Sequence, residues 1–450
     1  MSNFISSYLP YLFLLFYIIL SFKNPVFLLG IPFLIFFGSS IFIDNAKLFS
    51  VPLSYGRDII LLGWLVMTWF IFSSRALVEV GYKRTDYYAY QGINWLDHFI
   101  IGLMIISILD LLLTFRRYPN ATDVLKEFFT LVSLFLGFFI IKNCFRFVNT
   151  ESLQKLLYTV VIVNTTASVL YIVHQGFHIP IYQNDESPIE LFQGVNITRT
   201  FWFMPVLWFF SISFLLIFRN KRAIINGVLL IINFLAIFIS YTRSFLIIAV
   251  LIVFVYFFLV AHKKQSLLVF FKNSAIACLI GITSFLVVSR FRPAETNYFL
   301  DRFNELKEDP TEEEPNTLVY RFEHTNEVIS GIEPGKKFIG LGPVTDKQLS
   351  SVENMEKATA DLVWTGVIFR WGYVGMLLFG LLYLVSLVKA YYLFMRSDGL
   401  LSQFALVLLL TILSQIIEGF TSWTFMSPSR FAMGLWYFAL LSTLMGFKRI

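Results

Sequence analysis

Three charged side chains stand at positions where they could do chemistry beside apolar sequence. Arg243 lies in the short polar stretch Tyr241–Ser244, between two very apolar segments. Arg321 lies in a long hydrophilic segment, and Asp361 stands where that segment returns to apolar sequence. A guanidinium group stays charged and binds phosphate oxygens through two parallel hydrogen bonds. A positioned carboxylate can take a proton as a general base.

Each of these three residues has a structural explanation as well. Arg243 would be an anchor that reaches lipid headgroups, or a functional group that faces a cavity. Arg321 would pair with His324, three residues later, or lie on a solvated face. Asp361 would cap the helix that it precedes, because the helix dipole stabilises a negative charge there. The residue types alone leave these alternatives open.

A fourth charge, Arg370, lies inside the apolar segment that follows Asp361. A helix beginning at Asp361 would place Arg370 about 13 Å deep, at about 1.5 Å per residue. A charge at that depth is costly, so it usually faces a polar interior or an acidic partner. Asp110 and Glu418 are the acidic candidates, and the sequence does not pair them.

Composition places these charges in a membrane protein. The 450 residues are 57% hydrophobic, include 52 Phe and have a mean hydropathy of +0.72. Charged residues make up 14% of the chain, against about 25% in soluble globular proteins. Many apolar runs reach the roughly 20 residues that cross a bilayer. The sequence therefore predicts an all-α, polytopic helical membrane protein, with residues 1–450 forming one membrane domain.

The apolar segments predict twelve or thirteen membrane-spanning helices. Positive clusters at residues 219–222, 262–264, 389–396 and 448–449 alternate so that all of them can face the cytoplasm. Arg116-Arg117 would lie outside with thirteen spans, so either an early span is miscounted or this pair is functional. The thirteen predicted spans are residues 4–21, 25–43, 58–73, 97–115, 124–146, 154–175, 200–218, 223–240, 244–262, 266–289, 362–386, 401–420 and 430–447.

Several other kinds of site have no signal in the sequence. The chain has no Walker-type glycine loop, no DxD motif and no His/Cys cluster with metal spacing. We therefore predict neither a metal nor a cofactor. The formal net charge of +6 comes from Lys and Arg in short loops, so no nucleic acid is expected as a partner. Cys144 and Cys278 both fall in predicted spans, and the first apolar segment lacks the features of a cleaved signal peptide.

One long hydrophilic segment, residues 291–361, is predicted to face outside. Before its last residue it holds 8 Lys or Arg and 14 Asp or Glu. Arg292 lies at its start, close to Arg290 at the end of the preceding span. Residues 308–315 are typical of a linker, and residues 318–332 have the spacing of an amphipathic helix.

Three stretches, in this order, resemble motifs of the O-antigen ligase/polymerase family of bacterial membrane glycosyltransferases. The first is the polar turn Tyr241–Ser244, which contains Arg243 and joins two spans. The second is Arg321, followed by Pro334 and by Gly340-Leu341-Gly342.

The third stretch is a polar residue at the start of a helix that contains Gly-x-x-Gly. Here it is Asp361-Leu362, with Trp364 in the same turn and Gly372-Tyr373-Val374-Gly375 further on. Order and spacing fit over residues 223–386, and the remaining spans match only as apolar helices.

The resemblance implies an enzyme without metal or cofactor that works at the outer face of the cytoplasmic (inner) membrane. Its donor would be a glycan carried on undecaprenyl diphosphate, and its acceptor would be another glycan or a lipid. Membrane lipids would surround it, and a chain-length regulator or a flippase would be its protein partner.

The resemblance also implies roles for particular residues. The family's arginines are thought to hold the lipid diphosphate, which falls here on Arg243 and Arg321. Asp361 would be the general base, with His324 as its alternative. Beside the two arginines, the candidate substrate-binding residues are Arg290, Arg292, His324 and Trp364.

This chain departs from the family pattern at two positions. Ligases usually carry His-Asn where this chain has Asp361-Leu362, and many carry an acidic residue at the position of Arg370. Aspartate at position 361 is more typical of polymerases, so the sequence favours polymerisation over ligase-type transfer to lipid A core or another acceptor. A transporter or flippase for a lipid-linked glycan is the alternative from another class, although such proteins usually show internal repeats.

Overall fold

The computed structural model describes residues 15–16, 18–22, 24–30, 47–48, 51–52, 63, 66–73, 94–117, 135–145, 148–177, 189–192, 195–198, 205–218, 223–240, 242–291, 293–304, 323, 326, 329–330, 332, 334–335, 337–341, 363–420 and 428–445. Arg243, Arg290 and Trp364 are among them.

The described residues are mainly helical. Pro25–Gly30 form a 3-10 helix, residues 66–73 are helical, and Ile172–Gly176 form a π-helical turn. The α-helices with complete bounds, numbered in chain order, are α1 (Trp95–Arg117), α2 (Phe135–Phe145), α3 (Thr150–Tyr171), α4 (Pro205–Ile217), α5 (Ala223–Ile239), α6 (Arg243–Lys263), α7 (Leu267–Phe291), α8 (Pro293–Asn304), α9 (Val363–Arg396), α10 (Gly399–Gly419) and α11 (Pro428–Leu444).

Two short antiparallel hairpins accompany the helices. Strands β1 (Lys47–Leu48) and β2 (Val51–Pro52) form the first hairpin. Strands β3 (Ile189–Phe192) and β4 (Val195–Thr198) form the second, in which Phe192 pairs with Val195 across a two-residue connection. The predicted helical character holds for the described residues, and these hairpins are a small addition that the all-α prediction did not contain.

The predicted apolar spans coincide with helices over the described residues. Each helix from α1 to α7 and from α9 to α11 falls on a predicted span. Helix α9 continues to Arg396, beyond the predicted end at residue 386, because the residues after Lys389 are apolar or aromatic and prolong the helix. The total of twelve or thirteen spans and the single membrane domain stay predictions.

Five of the described helices, α1, α3, α6, α9 and α10, are long and apolar enough to cross a membrane. Their exposed faces are apolar too: on α9, Leu377, Leu384 and Val388 are more than half exposed. A helix of a soluble protein would carry polar residues on its exposed face. Helices that are apolar on all sides fit a multi-pass membrane protein, since a helix satisfies its backbone groups internally.

The chain forms two compact units. The first comprises Met1–Ile5 and Val161–Tyr320, and the second comprises Ser6–Val160 and Arg321–Ile450. In the first unit, α6 and α7 are joined by a short turn at residues 264–266 and pack as an antiparallel pair.

A buried polar network joins three apolar helices of the first unit. The amide Nδ2 of Asn164 donates to Ser211 Oγ at 2.8 Å and to Asn233 Oδ1 at 3.1 Å. Asn233 Nδ2 donates in turn to Thr165 Oγ1 at 2.8 Å, and Trp208 Nε1 donates to the adjacent Ser168 at 2.9 Å. Side-chain hydrogen bonds of this kind hold helices together in lipid, where the apolar faces alone give little preference for one packing.

In the second unit, α10 is buried along most of its length and packs against α9 and α11. A buried ion pair between Lys142 of α2 and Asp97 of α1 ties further helices together. Asp97 also accepts hydrogen bonds from the backbone N–H of Asn94 at 2.8 Å and from the hydroxyl of Ser442 at 3.2 Å. These bonds compensate the cost of burying the carboxylate, so α1, α2 and α11 are fixed together at this point.

Candidate functional site

Helix α9 is broken at Gly372, within the third motif of the resemblance. Gly372 has φ 64° and ψ −166°, which is not a helical conformation. In a regular helix the carbonyl of Phe369 would accept from the N–H of Tyr373, four residues later. The break separates these two groups, and each needs another partner, because an unsatisfied backbone group in an apolar medium costs several kcal/mol.

The hydrophilic segment supplies those partners through residues 337–341, here called the docked segment. Its backbone runs along the break and exchanges hydrogen bonds with α9, much as two strands do. Both groups freed by the break are satisfied in this way. Three backbone N–H groups donate across the contact: Leu341 N to Phe369 O (2.8 Å), Tyr373 N to Lys337 O (2.9 Å) and Val374 N to Phe338 O (3.3 Å).

Two glycines allow this close approach. A Cβ atom at Gly340 would overlap the carbonyl of Arg370 and lie 2.7 Å from the nitrogen of Gly372. A Cβ atom at Gly372 would overlap the carbonyl of Phe338 and lie 2.6 Å from the nitrogen of Gly340. Both glycines also have positive φ, 91° and 64°, which residues with a side chain rarely adopt. The contact therefore requires glycine at both positions.

Helix α1 supports the docked segment as well. The buried hydroxyl of Thr114 lies 2.8 Å from the carbonyl of Asp110 and 3.3 Å from the carbonyl of Leu341. Asp110, one turn earlier on α1, is 1% exposed. A carboxyl group is thus buried one helical turn from the residue that contacts the docked segment.

Arg370 lies beside the docked segment. Because α9 begins at Val363, Arg370 is about 10 Å along the helix at about 1.5 Å per residue, and it is two residues before the break. Its side chain is partly exposed, and its carbonyl faces Gly340. This arginine therefore belongs to a polar junction of loop and helix.

Trp364 lies in the first turn of α9 and contacts two aromatic rings. Its ring is 5.4 Å from that of Phe420 and 5.8 Å from that of Phe379, centre to centre. Its indole Nε1 is buried and finds no hydrogen-bond acceptor within the described part of the chain. Since a buried indole N–H usually has a partner, this N–H is available to an oxygen atom of a ligand. Glu418, also buried, precedes Phe420 at the end of α10.

Arg243 belongs to the first unit and is the first residue of α6. The predicted turn Tyr241–Ser244 is thus shorter than expected, because the helix already begins at Arg243. Thr242 before it is extended, with φ −100° and ψ 106°, and its carbonyl accepts the first backbone bond of the helix, from Phe245 N at 3.2 Å. One guanidinium nitrogen of Arg243, Nη1, is buried.

Arg290 lies in the second helix of the same pair. It is in the last turn of α7 and is exposed. Since α6 and α7 run antiparallel, the start of α6 and the end of α7 lie at one end of the pair. The first unit therefore presents Arg243 and Arg290 at the same end.

The remaining predicted site residues, Asp361, Arg321, Arg292 and His324, lie outside the described residues. Around them, Glu323, Asn326, Ile329 and Ser330 are helical. These four positions lie in the helix predicted for residues 318–332, whose bounds and amphipathic character stay predictions.

The contact between the docked segment and α9 is not predicted by the sequence analysis. Two features of the sequence could have indicated this contact: Gly372 inside an apolar span, and the second glycine motif at residues 340–342. Thr114 was missed entirely, because one threonine in an apolar helix carries no signal of its own. Comparison with models of known protein families and with characterised proteins found no match to this chain.

Proposed function

We propose that this chain is a membrane glycosyltransferase that polymerises glycan repeat units carried on undecaprenyl diphosphate. It would work at the outer face of the cytoplasmic membrane. The observation that supports this most is the docking of residues 337–341 on the break at Gly372. Two of the three stretches that resemble the family, about thirty residues apart in sequence, are in backbone contact.

The reaction needs an activated donor outside the cytoplasm, and a lipid diphosphate provides it. An acceptor sugar hydroxyl attacks the anomeric carbon of the donor glycan, and a new glycosidic bond forms. The bond between that carbon and the diphosphate oxygen breaks, and undecaprenyl diphosphate leaves with the electron pair. A general base takes the hydroxyl proton, so no metal or cofactor is required to balance the step.

Arginines are suited to the leaving group. Negative charge grows on the bridging oxygen of the diphosphate, and guanidinium groups bind phosphate oxygens in a bidentate manner. A preorganised donor at such an oxygen is worth on the order of 10²–10³ in rate. We assign this role to Arg243 and Arg321.

The position of Arg243 agrees with anion binding. It stands at the amino terminus of α6, where the helix dipole is positive and does not stabilise a cation. Helix amino termini and arginines both attract phosphate groups. An anion at this point would therefore be stabilised by the arginine and by the helix together.

Asp361 is assigned the role of general base, which is typically worth about 10²–10⁴ in rate. It comes two residues before α9 begins and three before Trp364. A sugar ring that stacked near Trp364 would have its hydroxyls within reach of side chains from this turn.

The proposal is tested with purified protein and a lipid-linked glycan in detergent. Wild type should lengthen the glycan, seen as a ladder on a gel, whereas Arg243→Ala and Arg321→Ala should not. Asp361→Asn should lose activity with its fold intact. Arg396→Ala is the matched control: this arginine is exposed and stacks on Tyr392, 4.1 Å from the ring centre, at the far end of α9.

Other outcomes favour other functions. Transfer of one glycan to a second kind of acceptor, without a ladder, would indicate ligase-type chemistry. Movement of the lipid-linked glycan across sealed vesicles, without any transfer, would indicate a transporter. A normal ladder from both arginine variants would remove the arginine assignment.

A further inference from the structure

The docked segment presents apolar side chains to its surroundings. Its backbone is held on α9, but the side chains of Phe338 and Ile339 at its centre are 67% and 44% exposed. Neither side chain is buried, whereas the side chain of Ile332, earlier in the same hydrophilic segment, is 2% exposed. Since exposed apolar area costs roughly 25 cal/mol per Å² in water, two such neighbours on a fixed backbone indicate a binding surface.

These side chains continue an apolar stripe on α9. Tyr373, Leu377, Leu384 and Val388 recur on one face of the helix and are 44–63% exposed. The opposite face, with Phe379, Leu382 and Ser386, is buried. On a helix that is long and apolar enough to span a membrane, such a stripe is the face toward lipid.

Phe338 and Ile339, here called the tip of the docked segment, meet the stripe at the break in α9. The carbonyl of Phe338 accepts from Val374 N at 3.3 Å, so Phe338 lies beside Tyr373, the first residue of the stripe. Exposed apolar side chains of the helix and of the docked segment are therefore neighbours at the break. Continuity with the lipid-facing surface favours lipid over a protein partner as what covers the tip.

The charge next to the tip fits the same environment. Lys337 precedes Phe338, and its side chain is partly exposed. Lysine beside apolar side chains can bury its stem while its ammonium group reaches a phosphate headgroup. Glu323, Pro334 and Gly335, earlier in the same segment, are exposed and include no large apolar side chain. Among the described residues between 323 and 341, the exposed large apolar side chains are those of Phe338 and Ile339.

We propose that Phe338 and Ile339 form a wedge that inserts into the interfacial region of a phospholipid bilayer. The wedge fixes the depth of the break in α9 and keeps the docked segment at headgroup level. Lys337 binds a lipid phosphate at that level. This inference rests on the membrane-spanning character of α9 and not on the proposed reaction, so either can fail without the other.

Spin-label accessibility tests the wedge in the full-length protein. The chain has two cysteines, and replacing them (Cys144→Ala, Cys278→Ser) gives a background for single labels. Phe338→Cys and Ile339→Cys each carry a nitroxide, in vesicles of phosphatidylcholine and phosphatidylglycerol. Power saturation then measures how often each nitroxide collides with oxygen, which concentrates in lipid. It compares this rate with the rate of collisions with a water-soluble nickel chelate.

A wedge in lipid predicts that oxygen collisions exceed nickel collisions at positions 338 and 339. Leu377→Cys, in the middle of the stripe, should give the same result and verifies insertion of the protein. Glu323→Cys should give the opposite result. The proposal is overturned if the labels at 338 and 339 behave like the label at 323.

Contact with a second copy of the chain would give a different signal. Labels at position 338 would then broaden one another's spectra, and dilution with unlabelled protein would sharpen them. Such broadening, with low accessibility to both oxygen and nickel, would also overturn the wedge. Since two neighbouring positions are labelled separately, a disturbance of the docked segment by one substitution is recognised from the other.

Discussion

Alanine at Gly372 should release the docked segment from α9. The new methyl group would overlap the carbonyl of Phe338. The backbone angles of Gly372, φ 64° and ψ −166°, lie in a region that is essentially restricted to glycine and costs other residues about 1–3 kcal/mol. Relief of the overlap requires the two backbones to separate, which breaks the three hydrogen bonds that join them.

The magnitude follows from those bonds. Each backbone hydrogen bond contributes about 0.5–1.5 kcal/mol net, so three bonds are worth about 3 kcal/mol. Since about 1.4 kcal/mol is a factor of ten in an equilibrium constant, the population of the docked state should fall roughly a hundredfold relative to the released state. Gly340→Ala should have a similar effect, because its Cβ would overlap the carbonyl of Arg370.

Hydrogen exchange and limited proteolysis of purified protein measure this release. The amides of Leu341 and Tyr373 should lose protection in Gly372→Ala, and cleavage within residues 342–362 should become faster. Two matched controls exist: Gly380, on the same helix, and Gly335, in the same hydrophilic segment, have open space where a Cβ would stand. Gly380→Ala should be neutral or slightly stabilising, as alanine is the better helix former.

Equal protection in Gly372→Ala, Gly380→Ala and wild type would refute the reasoning. It would mean that the two backbones accommodate the methyl group without loss of the three bonds. Loss of protection in Gly372→Ala, Gly340→Ala, Gly380→Ala and Gly335→Ala alike would also contradict the prediction. The effect would then come from any added methyl group and not from the overlap between the two backbones.

Three further predictions concern polar contacts between helices and between a helix and the docked segment. Asn233→Leu should lower the thermal unfolding temperature of the purified protein, because the interhelical hydrogen bonds of this amide are worth about 0.6–1.7 kcal/mol each in a membrane. Asp97→Asn or Lys142→Met alone should destabilise the folded protein by about 3–5 kcal/mol, because each leaves a buried charge without its partner. The double variant should be destabilised by less than the sum of the two, which a double-mutant cycle measures. Thr114→Val, which removes the hydroxyl near Leu341 without changing the volume much, should destabilise by about 1 kcal/mol or less and speed proteolysis of the docked segment.

The helices were largely predictable from the sequence. Runs such as Ile247–Leu259 are apolar on every side, so only a helix satisfies their backbone in lipid, and length then gives the span. The helix ends are less predictable. The predicted span ends at residue 386, shortly before Lys389, although one lysine near a helix end can direct its charge to the interface while the helix continues.

The site was less predictable, for a different reason. The charges at Arg243 and Arg370 were visible in the sequence because charge in an apolar setting is rare. The break at Gly372 was not, since glycine within a membrane helix is common and mostly serves close packing. Only the three-dimensional contact shows that this glycine faces Gly340, which lies 32 positions earlier in the chain.

The break in α9 and the docked segment depend on each other. The carbonyl of Phe369 and the N–H of Tyr373 need partners once the helix is broken, because each unsatisfied buried backbone group costs about 1–3 kcal/mol. The docked segment would in turn have no fixed position if α9 were regular, since its hydrogen bonds go to groups that a regular helix uses internally. Residues 337–341 are therefore part of the fold of α9, although they lie in the hydrophilic segment. A broken membrane helix is stable only where polar partners reach it, which is also where a polar substrate can be bound. The position of the break thus favours this junction as the functional part of the second unit over any of the regular helices around it.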